Sequence, residues 1–204
     1  MNAEPPGFSY QKNIPESLLQ GCIKISNEAP SDIKSNIERA WAPFDQARLE
    51  ESSMPVEFRA CLFGLCFFHA TVRERLKFGP LGWNMKYVFS GPDLKISMDQ
   101  LQIMLNNLDP SDVVPYAALA YLTGECNYGG RVTDGKDRIT LNSIMERFFN
   151  EDVLETGYKM SDSGTYSIPA AETREQFLEV IEGLPLVAPP EIFGFHENAN
   201  ITKD

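Results

Sequence analysis

Basic charge is the first thing that this sequence has little of. Lysine and arginine together number 18 against 29 aspartates and glutamates, which gives a formal net charge of -11. A surface with this balance repels nucleic acid and anionic membranes, and the chain has no basic stripe to offset it. The same balance predicts repulsion from an acidic protein filament. Charge therefore argues against the function classes that bind polyanions.

Histidine and paired cysteine are also scarce, which limits metal and redox chemistry. The chain has two histidines, His69 and His196, and four cysteines, none of them in a C-x-x-C pair. Cys61 and Cys66 are five residues apart on a predicted helix, about 140° around its axis, so their side chains diverge. No cluster has metal-ligand spacing, and no G-x-S-x-G motif is present. The cysteines are interpreted as reduced packing residues of an intracellular protein, and no metal-binding or catalytic residue is predicted.

Long apolar segments are absent as well. The longest apolar run, Ala60–Val72, contains a histidine and is expected to be too short to span a bilayer. Residues 1–13 lack the apolar core of a signal peptide and are predicted to be disordered or loosely attached. The chain nevertheless has 43% hydrophobic residues among its 204, enough for a sizeable core. We expect one large domain, or one domain with a fragment of another.

The strongest feature that is present is an apolar helix between Pro55 and Trp83. Apolar residues recur along it at steps of three and four, with phenylalanines on a further face: Phe58, Leu62, Leu65, His69, Val72, Leu76, Phe63 and Phe67. A helix that is apolar most of the way round is normally buried, so this is the predicted central helix. Gly79 and Pro80 predict its end through a left-handed cap, and Trp83 is predicted to fold back on the last turn. His69 is expected to be a hydrogen-bonded core residue.

The other predicted elements are mostly helices. After a short strand at 22–25, periodicity and capping residues predict helices at 31–41, 97–108, 116–123, 137–150 and 172–182. Ser97 is the predicted cap of the second of these helices, and Ile139 belongs to the predicted apolar face of the fourth. Residues 45–53 are predicted to be an exposed connector, and residues 158–168 to be a hairpin. The predicted fold class is mainly α, with a few short strands or one hairpin.

One loop contains a near match to a phosphate-binding motif. Residues 130–137, GRVTDGKD, follow the pattern G-x-x-x-x-G-K-[ST] except that Asp137 replaces the hydroxyl that would bind magnesium. A carboxylate there would lie near phosphate oxygens, and the preceding segment is predicted to be helix and loop, not a buried strand. We interpret the motif as a turn before a helix, capped by Asp134 or Asp137.

The longer loop from Tyr128 to Arg138 is predicted to join helices through buried polar contacts, the alternative being a flexible exposed loop. Gly129 and Gly130 are expected to use backbone angles closed to other residues, and Arg131 to tie carbonyls or a carboxylate across helices. Asp137 is predicted to cap the following helix. The predicted structural residues are Leu65, His69, Gly79, Pro80, Trp83, Tyr128, Gly129, Gly130, Arg131, Asp137 and Arg138.

Four stretches together resemble dynein heavy chains. They are residues 23–30 (IKISNEAP), 63–84 (FGLCFFHATVRERLKFGPLGWN), 121–138 (YLTGECNYGGRVTDGKDR) and 190–204 (PEIFGFHENANITKD). Their order and spacing match the family over residues 14–204. Three positions depart from it, since the family more often has a proline at Ala29 and often an acidic residue and a tryptophan at Gly135 and Lys136. The near match to a phosphate loop is thus a local substitution and not a family site.

The resemblance implies a fold and a place in a motor. Residues 31–204 would be the small helical lid subdomain of the sixth AAA+ module of the motor ring. Residues 1–30 would be a disordered start followed by the end of the preceding large subdomain. The last stretch resembles axonemal heavy chains more than cytoplasmic ones. The parent would be an ATP-driven, minus-end-directed microtubule motor of cilia or flagella, with ATP and magnesium bound elsewhere and no cofactor in this segment.

The implied role is structural and allosteric, not catalytic. The implied partners are the neighbouring AAA+ modules and C-terminal region of the same heavy chain, with dynein intermediate and light chains in the complex. No direct microtubule, nucleic acid or membrane contact is expected, and the implied location is the cytoskeleton of the axoneme, on the cytoplasmic side. Two alternatives stay open: a free-standing acidic helical interaction module, and a small nucleotide hydrolase that uses residues 130–137.

Overall fold

The structure is a computed structural model that describes residues 15–23, 32–155, 158–196 and 198–199. The chain divides into two units, residues 1–30 and 31–204. The described part of the first unit contains one short helix, α1 (Glu16–Gly21). Half of the predicted strand at 22–25 lies outside the described residues, as do residues 1–13. The identity of the first unit as the end of a larger AAA+ subdomain stays a prediction.

The second unit is built from helices. They are α2 (Ile33–Trp41), α3 (Gln46–Glu50), α4 (Pro55–Glu74), α5 (Gly79–Gly82), α6 (Gly91–Asn106), α7 (Tyr116–Tyr121), α8 (Gly135–Phe148) and α9 (Arg174–Glu182). The described part of the unit also contains a π-helical segment, Leu122–Tyr128, and 3-10 turns at Arg75–Phe78, Gly129–Arg131, Glu151–Leu154 and Pro190–Phe193. The mainly α fold is confirmed. The described residues contain no strand, and the predicted hairpin is reduced to one antiparallel bridge between Lys159 and Ser167.

The helix α4 is the centre of this unit, as its periodicity predicts. The helices α2, α6 and α8 all pack against it, and Leu65 near its middle is 1% exposed. The ring of Phe63 lies 5.5 Å from that of Trp41 and 5.0 Å from that of Phe177, which joins α2, α4 and α9 in one aromatic cluster. Pro55–Gly82 is, contrary to expectation, long and apolar enough to cross a membrane, but 83% of its most apolar stretch is buried inside the fold.

Local polar residues form two helix caps that the predicted elements did not include. Most of residues 45–53 are exposed, as predicted for the connector, but Asp45 accepts a hydrogen bond from Arg48 N and begins α3 within them. The helix α6 begins at Gly91, and Ser90 and Asp93 form a capping box around its first turn. Ser97 lies inside that helix and donates to the Asp93 carbonyl. A proline is tolerated in a first helical turn, so Pro92 did not mark a break.

Two residues predicted on apolar faces are exposed. Leu76 is 39% exposed because α4 tightens into a 3-10 turn at Arg75, and the tighter turn rotates the following side chains out of phase. Ile139 is 69% exposed, since α8 turns a different face to the core. The buried residues of α8 are Asp137, Leu141, Ile144, Met145 and Phe148.

Candidate functional site at the end of the central helix

A buried arginine holds the end of the central helix. Arg75 is 5% exposed, and its Nε and Nη2 donate to the Gly82 carbonyl at 3.2 and 3.0 Å, while its Nη1 donates to the Phe193 carbonyl. Its guanidinium lies 4.3 Å from the ring centre of Phe195 and 5.1 Å from that of Trp83. Burial lowers the pKa of Arg75 to about 10, so the group stays cationic at neutral pH. One side chain therefore joins α4, α5 and the 3-10 turn at Pro190–Phe193.

The turn after the central helix combines Gly79, Pro80 and Trp83. Gly79 has φ 51° and ψ -131°, a conformation that side-chain-bearing residues rarely adopt, but it is not the left-handed cap that was predicted. Pro80 is exposed and lies in the first turn of α5. Trp83 is 3% exposed and its Nε1 donates to the Val72 carbonyl at 3.1 Å, so this side chain does fold back on α4.

A histidine–tyrosine pair links α4 to the loop that begins at Tyr128. His69 Nδ1 lies 2.8 Å from the Tyr128 hydroxyl, and the two residues are 3% and 0% exposed. Burial, helped by the charge of Arg73, lowers the pKa of His69 to about 4, and burial raises the pKa of Tyr128 well above its usual range. Both groups are therefore neutral at pH 7. The expectation that His69 is a hydrogen-bonded core residue is confirmed.

Arg131 reaches across to the first turn of α6. Its Nε and Nη2 donate to Asp93 Oδ1 at 3.0 and 2.8 Å. The other oxygen of Asp93 accepts from Ser90 N at 2.8 Å and from Ser90 Oγ at 2.9 Å. Asp93 is 5% exposed, whereas the side chain of Arg131 is 51% exposed. The predicted tie between helices is present, with the carboxylate buried and the arginine at the surface.

Asp137 binds the segment after α5 and does not cap its own helix. Its Oδ1 accepts from Asn84 N at 3.0 Å and its Oδ2 from Met85 N at 3.1 Å. Asp134 is the cap of α8, because its carboxylate accepts from Asp137 N and Lys136 N, and these bonds lower the pKa of Asp134. The prediction that Asp137 is the cap is wrong because α8 begins two residues earlier than predicted.

The two glycines of the loop do not adopt the unusual backbone angles that were predicted for them. Neither Gly129 nor Gly130 has a positive φ. Gly129 is required for space, since a Cβ there would lie 2.6 Å from the Gly124 carbonyl oxygen, whereas nothing lies within 4 Å of a Cβ at Gly130. Arg138 Nη2 donates to the carbonyls of Val132, at 3.0 Å, and Gly129, at 3.3 Å, and so holds the turn closed.

Two residues of this site were missed from the sequence. Asp93 had a usable signal, because Ser90 and Asp93 have the spacing of a capping box, with a proline between them. Arg75 had no such signal, since nothing in the sequence distinguishes it from Arg73 and Lys77. Its burial depends on the 3-10 turn at the end of α4 and on a carbonyl 118 residues away.

Several backbone donors of the near phosphate motif already have partners, among them Val132 N, which donates to the Gly129 carbonyl, and Asp134 N, which donates to the Tyr87 hydroxyl. The N–H groups of Lys136 and Asp137, at the start of α8, already donate to the Asp134 carboxylate. The segment before Gly130 is a π-helical turn followed by a 3-10 turn, where a phosphate loop follows a strand. Among the described residues, no group of three histidines, cysteines or carboxylates is arranged to hold a metal ion. The polar contacts of residues 130–137 therefore connect neighbouring segments of the fold.

Comparison with known proteins agrees with this helical architecture. Residues 58–199 match the family model described as the dynein heavy chain AAA lid domain. The chain is 45% identical, over 95% of its length, to dynein axonemal heavy chain 3 of Homo sapiens. It is 43% identical over 92% of its length to dynein axonemal heavy chain 6 of Homo sapiens, and 43% over 94% to dynein axonemal heavy chain 12 of Rattus norvegicus. It spans 4% to 6% of the lengths of these three relatives.

Proposed function

Since the chain belongs to the dynein heavy chains through their AAA lid domain, we propose that it is the lid of the sixth AAA+ module of a motor ring. Its role there is structural and allosteric, because it passes shape changes between its neighbours without hydrolysing ATP. The parent protein is then an ATP-driven, minus-end-directed microtubule motor of a cilium or flagellum. ATP and magnesium bind to other modules of that parent, and this segment carries no cofactor.

The observation that carries this proposal is a set of buried polar contacts near the end of α4, made by Arg75, Asp93 and Asp137, which we call the buried junction. Arg75, Asp93 and Asp137 are each 5% exposed or less, and each engages a different segment of the fold. Separating any of these segments would leave a buried charge without its partner, which costs several kcal/mol. The segments therefore move together, and closely packed cores respond to force as blocks and do not deform continuously. A lid that transmits motion needs this rigidity.

The proposed partners follow from the ring position. They are the neighbouring AAA+ modules and the C-terminal region of the same heavy chain, with intermediate and light chains elsewhere in the complex. The proposed location is the axoneme, because the relatives are named axonemal heavy chains. The net charge of -11 supports a microtubule contact elsewhere in the motor, since a tubulin surface is also acidic.

The proposal is tested in a full-length heavy chain that carries Asp137→Ala. This change removes the acceptor for Asn84 N and Met85 N and should loosen the junction without touching a nucleotide site. We expect ATP hydrolysis to continue while the ratio of microtubule gliding velocity to ATPase rate falls about threefold or more. Lys136→Ala is the matched control, because Lys136 is exposed and its side chain forms no hydrogen bond or ion pair with the described residues. An unchanged ratio in a variant with a destabilised lid would refute the proposed role.

A further inference from the structure

A groove bordered by α2, α4 and α6 has a cationic rim although the chain as a whole is acidic. The cavity has a volume of about 640 Å³. Its lining includes the cations Arg39, Arg48, Arg73 and Lys95 against one carboxylate, that of Asp99. Carboxylates outnumber cations by 29 to 18 in the whole chain, so the groove reverses the average charge of the protein. This concentration favours a negatively charged occupant.

Three of the rim cations are available to such an occupant. Arg39, Arg73 and Lys95 form no ion pair with any residue that the structure describes. Arg48 alone is paired, at 3.3 Å from Asp99. The groove therefore presents unpaired positive charge drawn from α2, α4 and α6, three helices that are distant in sequence.

The floor of the groove is apolar, which limits the kinds of molecule that would bind in it. Phe44, Phe89, Leu94 and Met98 line it, and Val88, 75% exposed, stands beside them. The first four are themselves 4–7% exposed, so a small inorganic anion would use the rim and leave chiefly the side chain of Val88 in water. A large apolar side chain would remove it from water, which is favourable in proportion to the area buried. The volume also lies in the range of about 300–1,000 Å³ that is typical of pockets for drug-sized ligands.

We propose that this groove is a docking site for an acidic peptide segment that carries a large apolar side chain, supplied by polypeptide outside residues 1–204. The carboxylates of the segment contact Arg39, Arg73 and Lys95, and its apolar side chain fills the floor between Phe44 and Met98. A second copy of this chain is a poor occupant, because two molecules of net charge -11 repel each other. The site does not depend on the ring position proposed above.

The test is binding of a short fluorescent peptide to the full 204-residue chain, measured by anisotropy. The peptide has a tryptophan and a leucine between glutamates. In one control peptide lysines replace the glutamates, and in another alanines replace the two apolar residues. We expect the first peptide to bind and each control to bind about tenfold more weakly or worse. The affinity should also fall with added salt, because exposed charges are screened.

Matched variants locate the binding site on the protein. Lys95→Glu, on the rim, should raise the dissociation constant about tenfold, whereas Lys136→Glu, at another exposed cation at the start of α8, should leave it unchanged. Val88→Ser should weaken binding without any change of charge. All three positions are exposed, so the variants should keep the circular dichroism and urea midpoint of the parent.

Four results would overturn the proposal. The first is that the acidic peptide does not bind, and the second is that Lys136→Glu weakens binding as much as Lys95→Glu. The third is that inorganic phosphate displaces the peptide at equal concentration, which would make the groove a simple anion site. The fourth is a concentration-dependent dimer of the chain that Lys95→Glu abolishes, which would make a second copy the occupant.

Discussion

The burial of His69, helped by the charge of Arg73, makes the stability of the fold depend on pH. The pKa of His69 is about 4 in the folded chain and 6.5 ordinarily, so between these values the unfolded chain binds a proton that the native chain excludes. The contribution of neutral His69 is therefore complete above pH 6.5 and is lost as pH falls towards 4. The loss should amount to about 3 kcal/mol.

Urea unfolding at pH 7 and pH 4.5 measures this contribution. His69→Gln is the comparison, because a glutamine can hydrogen-bond to Tyr128 but does not titrate. We expect the parent to lose more stability than the variant between the two pH values, since only the parent must keep a histidine neutral. Equal losses would show that His69 protonates as readily in the folded chain as in the unfolded one.

The ion pair of Arg131 with Asp93 should contribute modestly to stability. Arg131→Ala leaves the Oδ1 atom of a buried carboxylate without its two donors. Because the arginine side chain is 51% exposed, water can reach part of the space it leaves, so we expect a loss of about 1 kcal/mol in the free energy of unfolding. Lys136→Ala serves as the control. An Arg131→Ala variant as stable as the parent would show that the ion pair does not contribute to the stability of the fold.

At the scale of elements, α4 and α8 approach each other closely at Gly64. A Cβ at this position of α4 would lie 2.3 Å from the backbone oxygen of Phe148 at the end of α8. A backbone atom cannot swing aside as a flexible side chain does, so Gly64→Ala must push the two helices apart. The expected cost is about 1–3 kcal/mol in the free energy of unfolding.

Gly130→Ala is the matched control for this contact. A Cβ at Gly130 meets nothing within 4 Å and its φ is not positive, so the change should alter stability by less than about 0.5 kcal/mol. Chemical denaturation of both variants measures the difference. If Gly64→Ala proves as stable as Gly130→Ala, the approach of α4 to α8 is looser than the structure indicates.

At the scale of the whole molecule, one apolar cluster runs through the larger unit, from Ile33 in α2 to Ala199 near the C-terminus. The two tryptophans of the chain are both buried in it. Trp41 lies at the end of α2 and Trp83 directly follows α5, so they report on different parts of the cluster. Because the cluster is continuous, both parts should unfold in one transition.

Single-tryptophan variants test this cooperativity. In Trp41→Phe the fluorescence reports on Trp83, and in Trp83→Phe it reports on Trp41. In each variant we expect the urea midpoint from fluorescence to coincide with the midpoint from far-ultraviolet circular dichroism. Midpoints that separate within either variant would mean that the unit contains two independent bodies, and a rigid lid would then be an inadequate description.

The whole chain should also fail to bind ATP tightly. Asp134 occupies the N–H groups at the start of α8, and the Asp137 carboxylate stands where the motif needs a hydroxyl. An equilibrium titration with magnesium and ATP should give no dissociation constant in the low micromolar range. Tight binding that is lost in Lys136→Ala would reinstate a nucleotide site at residues 130–137.

The sequence by itself determined the features that depend on neighbours along the chain. Periodicity identified α4 as the core helix, and its stop signals placed the end of the helix close to Gly79. The same local signals predicted α2 and α9, and the fold class followed from the number of such segments. The resemblance to dynein heavy chains could also be recognised from the sequence, because it depends on the order of residues. These features need no knowledge of the fold, since helix periodicity and capping act within a few residues.

The tertiary structure alone decided which polar residues are buried and what they bind. Arg73, Arg75 and Lys77 are equivalent in the sequence, yet Arg75 is the one that is buried, and it donates to carbonyls that other segments present. Asp137 had the local signature of a cap, but a shift of two residues in the start of α8 gave that role to Asp134. The cationic groove likewise gathers side chains from separate helices. Desolvation and ion pairing depend on distances in space, and short-range pattern in a sequence carries no information about those distances.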